Sequence, residues 1–175
     1  MTNAAISPRT LLVRKFVFLL NVTLIVASCA PKSPAPETEK LAIANLPMPP
    51  PQGVAKVARL PSPYDSGNVN NGRALFGDCA GCHTLQRNGS ETNGPNLYGV
   101  FERRAAQNQT YPYSEALRNS GIVWDVRHLD HWIFNPHEAL PGTSMAYIGV
   151  RNDTRRRDIL AYLIAVTDDG PIDKD

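Results

Sequence analysis

The stretch FGDCAGCH, residues 76–83, decides the fold of this chain. It places two thiols three positions apart and an imidazole directly after the second thiol. Just upstream, Val69, Gly72 and Phe76 recur at helical spacing, which predicts a helix that leads into the motif. The chain therefore presents two sulfur nucleophiles and one metal-binding nitrogen close together at the end of a helix.

Three kinds of site use a cysteine pair of this spacing: a redox dithiol, a zinc centre and a covalently attached haem. A redox dithiol is expected among alternating strands and helices, and structural zinc needs four ligands, whereas the chain has no second cysteine pair. C-x-x-C-H is instead the attachment sequence for c-type haem. Cys79 and Cys82 would add to the two vinyl groups of one porphyrin, and His83 would bind its iron. The sequence thus predicts one covalently bound haem c.

Met145, in the segment LPGTSMAY (140–147), is the predicted sixth ligand of the iron. Of the three methionines, Met1 lies at the N-terminus and Met48 in a proline-rich segment, which leaves Met145 as the candidate. A thioether favours ferrous iron and raises the reduction potential. A bis-histidine haem is the alternative, and its rival ligands are His128, His131 and His137.

Five segments, including the two already described, follow one another in a specific order: CAGCH (79–83), GPNLYGV (94–100), GIVW (121–124), PGTSMAY (141–147) and RRDILAYL (156–163). Over residues 67–166 this order resembles class I cytochrome c, in particular the mitochondrial-type proteins and related bacterial soluble carriers. The resemblance implies an all-α class I cytochrome c fold, with helices wrapped around one covalently attached haem.

The resemblance also implies roles for individual residues on the proximal and distal sides of the haem. Cys79 and Cys82 would form the thioether bonds, with His83 as the proximal ligand and Met145 as the distal one. The carbonyl of Pro95 would accept a hydrogen bond from the proximal imidazole. Such a bond fixes the ring and makes it a stronger donor to iron.

Four more residues match positions that surround the haem in the family. Tyr113 and Trp124 correspond to aromatic donors to a buried propionate, and Arg103 corresponds to an arginine near the same group. A buried carboxylate needs such donors, because burying it without hydrogen bonds is costly. Thr143 corresponds to a threonine near the distal methionine.

The last helix is predicted over residues 153–166, with Asn152 as its cap. The resemblance implies that it crosses the first helix near Gly72, with Tyr162 at the aromatic position of the crossing. The run of three arginines at 155–157 is expected on the solvent face of this helix.

The N-terminus has the order of a secretory signal: basic residues at 9–15, then a mostly apolar run at 16–27. Val26-Ala27-Ser28-Cys29 resembles the lipobox of bacterial lipoproteins, which predicts a signal peptide over 1–28 and lipidation of Cys29. Two or three acyl chains would anchor the protein durably. The alternative interpretation is ordinary signal-peptide cleavage nearby, in which Cys29 either stays in the mature chain without lipid or is removed with the signal.

The segment after Cys29 is rich in proline, with nine of the fifteen prolines between residues 30 and 63. Proline stiffens an extended chain, so residues 29–65 are predicted to be a spacer that reaches roughly 100 Å when extended. The haem domain would then occupy residues 66–175.

Charge argues against nucleic acid as a partner. Without residues 1–28 the chain carries 15 basic and 16 acidic residues, so it lacks the concentrated basic surface that phosphate binding needs. The lysines that surround the haem edge in mitochondrial-type proteins are also missing, because Lys174 is the only lysine after residue 65. Steering toward an acidic partner is therefore not expected.

Together these features predict a monomeric electron carrier rather than an enzyme, lipid-anchored on the periplasmic side of a bacterial membrane, with the inner membrane preferred. The expected donor is a quinol-oxidising cytochrome bc-type complex. The expected acceptor is a haem-copper oxidase or a photosynthetic reaction centre. Two alternatives stay open: a fixed haem subunit of an oxidase or dehydrogenase, and a haem protein that reacts with gas or peroxide after Met145 dissociates.

Overall fold

The computed structural model describes residues 43–167 of the 175-residue chain. The predicted signal peptide, Cys29 and residues 168–175 lie outside the described residues. The described part contains these elements in order: α1 (Pro51–Val57), a 3₁₀ turn (Tyr64–Ser66), α2 (Val69–Leu75), α3 (Gly77–Ala80), α4 (Glu115–Asn119), α5 (Val126–Phe134), α6 (Pro136–Ala139) and α7 (Asp153–Thr167). The only β-structure in the described part is a single antiparallel bridge between Arg104 and Val123. The all-α prediction is confirmed.

Helices α2 and α7 cross at Gly72. A side chain at Gly72 would overlap the carbonyl oxygen of Asp158 and crowd Cβ of Tyr162, so the crossing requires glycine. The rings of Phe76 and Tyr162 lie next to the crossing, with centroids 5.8 Å apart, and both residues are buried. The crossing implied by the resemblance is therefore present, and it directs α2 into the cysteine motif.

Side-chain caps fix where the main helices begin. At the start of α7, Oδ1 of Asn152 accepts a hydrogen bond from the backbone N–H of Arg155 at 2.9 Å, which confirms the predicted cap. The same arrangement occurs at the starts of α2, α4 and α5, where the capping residues are Asn68, Ser114 and Asp125. Each cap satisfies a backbone donor that the first helical turn leaves unpaired.

Residues 43–65 pack against the rest of the domain, which corrects the prediction of a spacer that extends to residue 65. Leu46 is 8% exposed and Val57 is 3% exposed. The hydroxyl of Tyr162 donates a hydrogen bond to the carbonyl of Pro47 at 2.9 Å, and Nη2 of Arg73 donates to the carbonyl of Leu46 at 2.9 Å. We call residues 43–65 the extension.

The prolines of the extension start a helix rather than continuing an extended chain. Pro51 occupies the first position of α1, where its missing N–H costs no helical hydrogen bond. Gly53 then faces the backbone of Ala165 in α7, closely enough that a Cβ would overlap the Ala165 carbonyl. Proline content alone could not predict this contact, because it depends on a residue more than a hundred positions later.

The expectation that residues 155–157 face solvent is wrong for Arg156. Its side chain is 8% exposed, and its guanidinium lies 2.7 Å from Asp130 and 2.8 Å from Asp153, measured between nitrogen and carboxylate oxygen. Two carboxylates compensate the desolvation of this cation. Arg155 is exposed, as expected.

None of the helices within residues 43–167 is long and apolar enough to span a bilayer.

Replacing Gly53 by alanine tests the packing of the extension. Alanine normally stabilises a helix by about 1 kcal/mol relative to glycine. At Gly53 we expect the opposite sign, a loss of about 1–3 kcal/mol in the free energy of unfolding, because the new methyl group overlaps the Ala165 backbone. The measurement is denaturant unfolding of the haem-loaded protein.

The control is Gln52→Ala, one position earlier on an exposed side of α1, which should change stability by no more than about 0.5 kcal/mol. A Gly53→Ala protein that is more stable than the parent would show that α1 does not rest on α7 in solution.

Candidate haem-binding site

The cysteine motif lies on a tight turn at the end of α3. The backbone N–H groups of Cys82 and His83 both donate to the carbonyl of Cys79, each at 3.0 Å. Cys79 is half-buried, Cys82 is exposed, and the two thiols are not joined in a disulfide. Burial raises the pKa of Cys79 to about 12, with smaller contributions from Asp78 and Cys82, so its thiol is protonated before any haem is attached.

His83 is held in one orientation by a backbone carbonyl. Its Nδ1 lies 2.8 Å from the oxygen of Pro95, and because a carbonyl only accepts, Nδ1 carries the proton. Burial lowers the pKa of His83, and the bond to Pro95 opposes this shift only in part. The imidazole is therefore neutral, with the lone pair on Nε2 available to a metal.

Gly94 lets the imidazole lie against the chain. A Cβ on Gly94 would overlap Cε1 of His83 and crowd Nδ1. The N–H of Gly94 donates to the carbonyl of Cys82 at 2.8 Å, which ties this turn to the cysteine motif. The segment at 94–95 thus both supports the ring and supplies its hydrogen-bond acceptor.

Met145 lies on a loop that Thr143 and Trp132 hold. Thr143 is buried, its N–H donates to the carbonyl of Leu140 at 3.2 Å, and its Oγ1 accepts from the N–H of Met145 at 3.3 Å. The indole Nε1 of Trp132 donates to Sδ of Met145 at 3.1 Å. The Met145 residue is therefore held by Thr143 of its own loop and by Trp132 of α5.

Trp132 was not among the residues predicted for the site. Its position on the buried face of α5, with Leu129 and Ile133, indicates a core residue and gives no sign of a sulfur partner. The ring also packs edge-on against Trp124 with centroids 5.2 Å apart, which joins the methionine side of the site to the propionate-binding residues implied by the resemblance. Only the tertiary structure reveals the contact.

Tyr113 and Trp124 are buried, and among residues 43–167 neither Tyr113 Oη nor Trp124 Nε1 makes a hydrogen bond. Arg103 is half-buried beside them, with Nη1 donating to the carbonyl of Tyr98 at 3.1 Å. Burial raises the pKa of Tyr113, and the nearby Arg103 opposes the shift, so the hydroxyl is a donor at neutral pH. Arg104 is exposed, so Arg103 is the arginine that faces this region.

The three rival histidines lie on the surface. His128 is exposed on α5 and its Nδ1 lies 2.9 Å from Asp125. His131 and His137 are also exposed, on α5 and α6.

The residues present fit a c-type haem. Two free thiols and a neutral imidazole lie on one turn, and a thioether held by an N–H donor lies on a separate loop. Two aromatic donors that make no hydrogen bond within residues 43–167, together with a guanidinium, suit the carboxylates that a haem carries. The donor set therefore matches the covalent, axial and propionate contacts that such a group needs.

Comparisons with known proteins agree with this chemistry. The family model described as Cytochrome c matches residues 69–166. Cytochrome c of Theileria parva is 43% identical over 98 residues, which cover 55% of this chain and 84% of that protein. Cytochrome c2 of Rhodoblastus acidophilus is 36% identical over 105 residues, which cover 60% of this chain and 98% of that protein.

Among solved structures, cytochrome cH from Methylobacterium extorquens is similar, with a TM-score of 0.51 and 36% sequence identity. The likeness covers 55% of this chain and 97% of that one. The matched family region ends in α7 and begins at α2, so the extension lies outside it.

Replacing Gly94 by alanine tests the support of the proximal imidazole. The methyl group would displace the His83 ring and weaken its bond to Pro95, so we expect a loss of about 2–3 kcal/mol in the unfolding free energy of the haem-loaded protein. The control is Gly81→Ala, in the same motif region, where a Cβ meets nothing within 4 Å. Equal stabilities for the two variants would contradict the packing described above.

Proposed function

The chain belongs to the cytochrome c family, and we propose that it carries single electrons while tethered to the periplasmic face of a bacterial membrane. Membership in the family makes it a haem electron-transfer protein with covalently bound c-type haem, and not an enzyme. The tether, the compartment and the partners are the parts that we propose.

We assign Cys79 and Cys82 to the thioether bonds, and His83 and Met145 to the two axial positions. The observation that carries this assignment is that both axial donors are already oriented by hydrogen bonds, from His83 to Pro95 and from Trp132 to Met145. Ligands held in this way favour electron transfer with both axial bonds kept. They do not favour a gas- or peroxide-reactive centre, which needs an open position.

The bound haem supplies a one-electron couple, ferric to ferrous and back. The chain's own residues set its environment. The Met145 thioether favours the reduced form, and the N–H of Trp132 withdraws electron density from the sulfur, which favours it further. Tyr113, Trp124 and Arg103 would supply the hydrogen bonds that the haem carboxylates need in both redox states.

The proposed tether is short. If Cys29 is lipidated, only residues 30–42 separate it from the extension, and a fully extended chain of that length spans roughly 45 Å. A haem domain held within this distance of the membrane would meet partners embedded in the same membrane. This supports a quinol-oxidising cytochrome bc-type donor and a haem-copper oxidase or photosynthetic reaction centre as acceptor, with the inner membrane as the site of anchoring.

Replacing Met145 by alanine tests the distal ligand. We expect the reduction potential to fall by on the order of 100 mV or more, because a harder replacement ligand stabilises ferric iron. The ferric protein should also lose its sulfur-to-iron charge-transfer band. The control is Met48→Ala, since Met48 is 69% exposed in the extension. Potentiometric titration that gives both variants the parental potential would exclude Met145 as the ligand.

Replacing Cys29 by serine tests the tether in the native host. The parent protein should partition with membranes and have the intact mass of a chain that starts at Cys29 with one haem and its acyl groups. The serine variant should carry haem but lack the mass of the acyl groups. A parent protein that is found in the soluble fraction would contradict the proposed tether. Constant stoichiometry with a larger complex would favour a fixed subunit over a mobile carrier.

A further inference from the structure

Arg156 lies at the centre of a cluster that reaches the distal loop. Its Nη1 donates to the carbonyl of Val150 at 2.9 Å and to that of Arg151 at 3.2 Å. Val150 is the residue at which the chain leaves the loop that carries Met145 and turns toward α7. The guanidinium therefore holds the C-terminal end of the methionine loop.

Other contacts fix the same end of the loop to α5. The N–H of Val150 donates to the carbonyl of Ile133 at 2.8 Å. Gly149 has a φ of +90°, and a Cβ there would overlap the carbonyl oxygen of Phe134. The segment from Met145 to Val150 thus packs closely on the C-terminal end of α5, and Arg156 adds hydrogen bonds from α7.

Asp130 positions Arg156. One carboxylate oxygen lies 2.7 Å from Nε of Arg156, in a cluster where the arginine is buried and the aspartate is partly buried. The second oxygen accepts a hydrogen bond from the hydroxyl of Tyr64 at 3.3 Å. Tyr64 is buried and begins the 3₁₀ turn at the end of the extension. A carboxylate with both oxygens engaged has less freedom to turn away from the guanidinium.

We propose that Tyr64 and Asp130 are positioning residues for the distal ligand: they fix Arg156, which in turn keeps the Met145 loop closed. The inference rests on the proposed ligation by Met145. It gives the extension a role beyond packing, because Tyr64, near its C-terminal end, belongs to the network that ends at Val150. Among residues 43–167, none of the three residues hydrogen-bonds to Met145, so the effect passes through the loop.

The rate at which imidazole replaces the distal ligand reports how often the loop opens. We would measure it by stopped flow on the full-length, haem-loaded ferric protein with imidazole as the probe. The Tyr64→Phe variant removes only the hydroxyl that contacts Asp130. We expect imidazole to bind about threefold to tenfold faster, the range that follows from losing one modest hydrogen bond.

Tyr162→Phe is the matched control. It too removes one tyrosine hydroxyl that holds the extension, but its partner is the carbonyl of Pro47 and not Asp130. It should lower the stability of the protein while changing the imidazole rate less than twofold. Asp130→Asn should accelerate binding more than Tyr64→Phe, by roughly tenfold or more, because it leaves buried Arg156 with a weaker partner. Asp130→Glu should restore part of the difference.

Parental imidazole rates in Tyr64→Phe, or equal acceleration in both tyrosine variants, would overturn the positioning role. The second result would show that loosening the extension in any way opens the loop. The charge-transfer band of the parent separates this failure from that of the proposed function. A parent with the band retains Met145 as the ligand whatever the variants do, whereas a parent without it overturns both inferences.

Discussion

The close crossing of α2 and α7 at Gly72 is the constraint on which the rest of the structure depends. Because Gly72 has no side chain, the two backbones meet directly, and this sets the direction in which α2 delivers the motif that contains His83. The same crossing orients α7, which turns Tyr162 toward the extension and Arg156 toward the methionine loop. One helix pair therefore supports both the proximal and the distal sides of the site.

Sequence reasoning succeeded where the determining chemistry is local. The C-x-x-C-H motif needs only five consecutive residues, and the cap at Asn152 needs only the start of the following helix. The contact of His83 with Pro95 spans twelve positions, and it could be expected only because a family resemblance supplied it. As the separation between partners grew, prediction came to depend on the resemblance rather than on residue patterns.

Most of the contacts that were missed join different elements of the fold. Trp132 looks like any buried aromatic until its N–H is found on the sulfur of Met145. Arg156 lies within a charged run that suggests solvent, and it is buried only because Asp130 and Asp153 meet it there. The extension falls outside the region that matches the family, so neither proline content nor resemblance indicated that it packs on α7.

The extension also bears on how such a protein could find its partners without a basic face. Lys56, the one lysine among residues 43–167, is 8% exposed, so lysines offer no steering surface there. On the proposed tether, packing of residues 43–65 leaves at most residues 30–42 to span the distance between Cys29 and the packed domain. Effective concentration falls steeply as a linker lengthens beyond the distance it must span. If the tether is as proposed, the packed extension shortens it and can offset the missing electrostatic attraction, because the haem domain would stay near the proposed membrane-bound partners.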